Sequence, residues 1–223
     1  MSIFEFWPAL FRGLGYTLLV TLSSFAIGLI IAFVVTAARR SRLRAIRFLG
    51  TAYVEILRGI PPIPWLFLAY FALPMVGLKL SPIQAGIAVF SLIAGAYLSE
   101  IYRSGLRSVP PGQMEAIDSL GLTRAVGYAK VIIPQAIRSV FPQSIAYLIG
   151  LLKDSALVSM IGVQDITTIA VVQGRNAGEN LTAFISAALM YLMISIPVGL
   201  IGRNIEERLK RRKRAKKKDR VTA

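Results

Sequence analysis

The chain has 223 residues, 55% of them apolar, and a formal net charge of +15. A soluble domain of this size rarely combines the two, so apolar and basic residues must be segregated along the chain. It has no cysteine and no histidine, which excludes a disulfide frame, a thiolate metal site and any Ser-His-Asp or Cys-His catalytic apparatus.

A helix needs roughly 20 mostly apolar residues to cross a bilayer. The first such run has only Arg12 before it in place of a basic flank and lacks a clear small-residue cleavage site, so no cleavable signal peptide is expected. Gly13 to Ala38 contains no charge, nor do Gly59 to Leu78, Leu80 to Ser99 and Asn180 to Gly202. Ser139 to Leu152 is shorter, and becomes a fifth span if its helix begins near Pro134 or continues past Lys153. Ser155–Gln164 and Ile166–Gly174 are too short to cross and read as re-entrant or interfacial pieces. The expected fold is all-α, with about five transmembrane helices.

Lysine and arginine fix the expected orientation. Arg39, Arg40, Arg42, Arg44 and Arg47 follow the first span, and Arg103, Arg107, Arg124, Lys130 and Arg138 follow the third. Eleven more lie between Arg203 and Arg220, whereas the opposite connections hold only Arg12, Lys79, Lys153 and Arg175. The N-terminus is expected outside and the C-terminus in the cytoplasm, which an odd number of spans requires. The organisation is then an extracytoplasmic segment (1–12), a membrane domain (13–205) with a cytoplasmic loop (108–138), and a basic tail (206–223). The tail suits anionic lipid. A nucleic-acid patch is the other reading of such a run, but no aromatics are interleaved for stacking, so no nucleic acid is expected.

The second span holds Pro61, Pro62, Pro64 and Pro74. Proline frees backbone carbonyls, which suits either an unwound piece beside a translocation path or a kink that shapes the bundle. Glu55 and Arg58, three apart, read as a helix-surface ion pair. Glu100 ends the third span, and a contact with Arg103 or the following loop is expected there.

In that loop, Pro110, Pro111 and Gly112 end the preceding helix. Gln113 to Leu120 then reads as a short helix with Met114, Ile117 and Leu120 on one side. Gly121 breaks it, and Thr123 is an N-cap for a second short helix ending near Gly127 to Lys130. Pro134 precedes the next span. The result is an elbow whose apolar residues need a cover, either a partner or the bilayer surface. Further on, a helix from Ser139 to Lys153 rises about 20 Å, which puts Lys153 and Asp154 inside the membrane toward its outer side. Charges at such depth often mark a substrate path; mutual neutralisation at a helix end is the other reading.

Several of these strings carry a resemblance. Gly112-Gln113-x-Glu115-Ala116-x-x-x-x-Gly121, followed by Ile132-Ile133-Pro134-Gln135-Ala136, resembles the EAA loop of ABC importer permeases, specifically polar amino acid permeases of the histidine/glutamine type. Arg58-Gly59-Ile60-Pro61, Gly95-Ala96-Tyr97-x-x-Glu100 and Leu152-Lys153-Asp154-Ser155-Ala156-Leu157 are similar to that group's other signatures, in the same order. Three departures stand out: Ile117 in place of an alanine, Ile60 in place of threonine, and Ser155-Ala156 in place of Thr-Ser.

The resemblance implies a type I ABC importer permease in the bacterial cytoplasmic membrane. It would pass a polar amino acid, or a related small amine or opine. It implies three partners: an ABC ATPase dimer, a second permease copy or paralogue, and an extracytoplasmic solute-binding protein. Gly112, Gln113, Glu115, Ala116, Gly121 and Pro134 would couple to the ATPase, with Glu115 facing the partner, Ala116 keeping the helix close and Ile117 tuning the fit. Gly59, Pro61, Pro62, Lys153, Asp154 and Ser155 would belong to the substrate pathway. The chain has no glycine-rich loop ending in Gly-Lys-Ser or Gly-Lys-Thr, so ATP and Mg would sit on the partner and this chain would be no enzyme. An ATP-independent secondary transporter or channel is the alternative, but it gives the elbow no purpose.

Overall fold

The computed structural model describes the backbone of residues 3–219 and the side chains of residues 3–207. The side chains of the expected basic tail beyond Glu207 therefore lie outside the described residues. Among those described there is no β-strand. Four helical runs are long and apolar enough to cross a membrane: Ile3–Arg39, Pro82–Arg107, Arg124–Ile161 and Asn180–Glu207. A bent pair, Arg44–Gly59 and Pro62–Val76, makes a fifth if its halves count as one span.

Helix α1 (Trp7–Arg39) is apolar on every side, as a lipid-facing helix must be. Its faces are sorted by size and polarity instead. Gly13, Thr17, Thr21, Ser24, Gly28, Ala32 and Thr36 turn inward, while Ile30, Phe33 and Val34 face outward. Lipid tails are as apolar as leucine, so small residues that let backbones approach decide which face is buried.

That small face meets α4 (Pro82–Arg107), which opens with a reciprocal cap. Ser81 Oγ accepts from the Gln84 amide, and the Ser81 amide donates to Gln84 Oε1. A Cβ on Gly28 would lie 2.5 Å from Ala94 Cβ, and one on Gly95 would overlap Ile31. Thr36 Oγ1 donates to the Ser99 carbonyl at 3.4 Å, and the Arg39 guanidinium pairs with Glu100 at the end of the seam.

Helix α2 (Arg44–Gly59) occupies the charged stretch ahead of Gly59, where the second span was expected to begin. It runs back antiparallel along α1: Gly50 lies against Arg39, and Val54 and Leu57 pack with Val35, Ala96 and Ile31. The chain then turns by 104° into α3 (Pro62–Phe67). Ile60 and Pro61 each precede a proline, which disfavours the helical region. Both are extended, with ψ of 131° and 154°.

Two later prolines sit inside continuous helix. Before Pro74, residues Leu68–Ala72 widen to π spacing and the Leu73 amide donates to the Leu68 carbonyl. Before Pro134, Tyr128–Ile132 do the same, with the Ile133 amide donating to Tyr128. A proline cannot donate to the carbonyl four residues back, and the wider turn absorbs the misfit. The expected break between the loop's second short helix, α6 (Arg124–Gly127), and the fourth span is therefore absent. With α7 (Ile133–Asp154) and the 3₁₀ turn Ser155–Ile161, α6 forms one run of 38 residues.

Of the two short pieces expected after α7, the first continues its run as the 3₁₀ turn, and the second, Ile166–Ala177, packs back on α1. Gly162, at φ +90°, ends the 3₁₀ turn, and Asp165 caps α8 (Ile166–Ala177), too short at 12 residues to cross. Asp165 is fully buried. Its carboxylate accepts from the Thr168 and Thr167 amides at 2.9 and 3.2 Å. The α8 start lies on α1, where a Cβ on Gly13 would come within 2.6 Å of the Asp165 backbone and Thr17 Oγ1 accepts from the Ile166 amide. Helix α9 (Asn180–Asp219) completes the bundle against α7 and α8.

Overpacking a close helix contact costs about 1–3 kcal/mol. Gly28→Val is expected to lower the melting temperature of the detergent-purified chain, whereas Gly15→Ala, which meets nothing within 4 Å, leaves it unchanged. Equal melting temperatures for both variants would contradict the α1–α4 seam.

Candidate functional site

The elbow begins with α5 (Gly112–Ser119), stopped by Gly121 at φ +64°, a left-handed turn that suits glycine. The Leu122 amide donates to the Ile117 carbonyl and the Gly121 amide to that of Asp118, which satisfies carbonyls that the helix end leaves over. Thr123 Oγ1 then accepts from the Val126 amide and opens α6.

Ile117 is 2% exposed, and a Cβ on Gly127 would lie 2.5 Å from it. Its role thus differs from the one expected: it does not shape an outer fit but staples the two arms of the elbow together. Glu115, Ala116, Leu120 and Leu122 remain exposed on the outside. Gln135 Nε2 donates to Gln113 Oε1 at 2.9 Å, which ties α5 to the start of α7 beside Pro134. Arg40 donates to the Tyr128 hydroxyl at 2.7 Å and so ties the π turn to α1. Gly112 is exposed with nothing within 4 Å of its Cβ position.

The second group of residues lies along the bundle. Gly59, Pro61 and Pro62 form the 104° bend. Lys153 and Asp154 are exposed at the end of α7, and neither makes a hydrogen bond or ion pair with a described residue. Ser155 is turned inward and fully buried. Its hydroxyl accepts from Thr21 Oγ1 at 3.1 Å and donates to the Leu152 carbonyl at 2.8 Å.

Among the described residues no three of His, Cys, Asp or Glu gather to hold a metal. A groove of about 520 Å³ between α1, α4 and α7, lined by Phe33, Thr36, Tyr102, Leu106, Tyr128 and Ile137, is almost wholly apolar and lies far from Lys153 along α7.

The residue that sequence reasoning missed is Arg39. It joins Arg103 on the Glu100 carboxylate, where only Arg103 or the loop was expected. A signal did exist: Arg39 and Glu100 are each the first charge after a charge-free run.

The comparisons with known proteins agree with one another. The family described as "Binding-protein-dependent transport system inner membrane component" matches residues 24–211. The L-cystine transport system permease protein of Bacillus subtilis (strain 168) is 38% identical over 93% of this chain and 89% of its own length. The arginine transport system permease protein of the same organism is 32% identical over 91% and 93%. The crystal structure of an amino acid ABC transporter with histidines superposes with a TM-score of 0.88 at 31% identity, over 92% of this chain and 95% of that one. An inward-facing methionine ABC transporter, 24% identical with a TM-score of 0.76, shares the fold over 94% of this chain and 99% of its own. The fold is that of type I ABC importer permeases, and the chain belongs to the family of binding-protein-dependent transport system inner membrane components, as a multi-pass permease subunit.

Proposed function

We propose that this chain moves a polar amino acid across the cytoplasmic membrane and is driven by a separate ATPase acting on the elbow. The carrying observation is the continuity of α6 and α7. An exposed face at Glu115, Ala116 and Leu120 is stapled through Ile117 and Gly127 to a run whose α7 part ends at Lys153 and Asp154. A push on the elbow therefore has a stiff path to the far end of the bundle. The relatives named for cystine and arginine, and the structure containing histidines, support an amino acid as cargo.

The basic end of the bundle, where Arg40 donates to Tyr128 beside the elbow, faces the cytoplasm in this reading. The N-terminus is then outside and the C-terminal tail inside, against anionic lipid. ATP and Mg bind the ATPase dimer. A solute-binding protein delivers cargo from outside, and a second permease copy or paralogue supplies the other wall of the pathway. Gly59, Pro61 and Pro62 line that pathway at the bend, with Lys153 and Asp154 toward its outer end. Ser155 supports them from within the α1 seam.

Two expectations test this reading in proteoliposomes that hold the permease, its ATPase and its binding protein. Glu115→Lys and Gly121→Asp should each cut ATP-driven uptake of the cargo at least about tenfold, a change of about 1.4 kcal/mol in coupling, with normal membrane abundance. Wild-type uptake by both variants would remove the elbow from the mechanism. At the other end, Asp154→Asn and Lys153→Met should slow uptake while ATPase activity persists. If both variants transport normally at normal abundance, the charges only neutralise a helix end.

A further inference from the structure

Arg58 does not form the ion pair with Glu55 that their spacing suggested; among the described residues the two make none. Its guanidinium lies over the ring of Tyr97, 5.0 Å from the centroid. Tyr97 also stacks on Tyr147, with centroids 5.4 Å apart and planes 20° off parallel. The array thus joins the end of α2, the middle of α4 and the middle of α7, one residue from the bend that begins at Gly59.

Its depth follows from helix rise. Gly50 lies beside Arg39 at the basic end, and Arg58 is two turns further along α2, about 12 Å into the bundle at 1.5 Å per residue. On α4, Tyr97 is one turn before Glu100, which pairs with Arg39, so it too lies further into the bundle than that pair. The Arg58 backbone is thus well inside a hydrocarbon core about 30 Å thick. A guanidinium at that depth faces a cavity or a partner, not lipid.

The charges around it do not balance. Glu100 is the nearby carboxylate within electrostatic reach of Arg58, but Arg39 and Arg103 already hold it. Three guanidiniums around one carboxylate leave an excess of positive charge, which persists even when the exposed Glu55 is counted. The contact with the Tyr97 ring satisfies none of the guanidinium's five N–H donors. A planar fork with free donors is what a carboxylate binds in bidentate fashion.

Resting on the permease reading above, we propose that Arg58 anchors the α-carboxylate of the amino acid in transit, and that Tyr97, backed by Tyr147, is the positioning residue that holds its plane. Further along α7, Asp154 lies two turns beyond Tyr147 and within its electrostatic reach, on the side where an ammonium group would pass. The site selects an α-amino acid over the corresponding amine or carboxamide. Side-chain identity is read elsewhere, since nothing in the array distinguishes one side chain from another.

The test uses the detergent-purified permease–ATPase complex without binding protein. Labelled common L-amino acids and L-cystine are offered to find the cargo, and the carboxamide of that cargo is the competitor. The wild type should prefer the acid over the amide at least tenfold. Arg58→Gln should lose that preference through weaker binding of the acid, and Arg58→Lys should keep part of it. Tyr97→Phe should preserve the preference and Tyr97→Leu reduce it. An unchanged acid-to-amide ratio in Arg58→Gln overturns the proposal. Loss of the permease pair on size exclusion also overturns it, in favour of a carboxylate from the second copy. If the wild type binds none of the amino acids, the amino-acid reading falls and this inference with it, whereas elbow variants that fail only in ATP-driven uptake leave both standing.

Discussion

The structure depends on the backbone contact between α1 and α4. Within a bilayer there is no hydrophobic gain in moving a leucine from lipid to protein, and hydrogen bonds between helices contribute on average only about 0.6 kcal/mol each. Thr36 to Ser99 and Thr21 to Ser155 cannot hold a bundle by themselves. What remains is dispersion, which needs close approach. Gly28 against Ala94 and Gly95 against Ile31 supply it. The Arg39–Glu100 pair closes the seam at the basic end, with Arg103 also on the Glu100 carboxylate.

Everything with a proposed role is built on that seam. Helix α2 can run back into the bundle because α1 and α4 together offer Val35, Ala96 and Ile31 to its Val54 and Leu57. Tyr53 confirms the register by donating to the Leu92 carbonyl at 2.6 Å. The same register sets Arg58 over Tyr97. At the elbow, Gly105 admits Val140, so α7 leans on α4 just beyond the loop. The elbow is thus clamped to the pair by α7 and tied to α1 through Arg40 and Tyr128. Proline serves opposite ends in this chain. Two in a row after Ile60 force a bend, whereas single prolines at 74 and 134 are absorbed by π turns and leave the helix continuous.

Much of this was legible in the sequence. Charge-free runs located the spans, because the bilayer core excludes charge. Gly121 and Thr123 located the turn of the elbow, because a left-handed position and an N-cap each demand particular residues. The course of α2 was not legible: Arg44, Arg47, Glu55 and Arg58 are spread through it, and a charged stretch reads as lying outside the membrane until a neighbouring helix is seen to shield it. Nor was the continuity from α6 to α7, since a proline marks a stop in sequence and only the backbone reveals the π turn. The inward position of Ser155 follows from its partner Thr21, 134 residues away, a pairing that no local pattern encodes.

The central claim is that the elbow and α7 move as one rigid body that carries the ATPase stroke to the middle of the bundle. The chain has no cysteine, so pairs of spin labels can be placed directly at the exposed positions Ala125, Ala146 and Ile60. Distances would be measured by pulsed electron resonance in the complete complex, with and without ATP trapped on the ATPase. The account predicts that Ala125 to Ala146 stays constant while Ala146 to Ile60 changes. A changed Ala125–Ala146 distance, with Ala146–Ile60 fixed, would place a hinge at the π turn and contradict it.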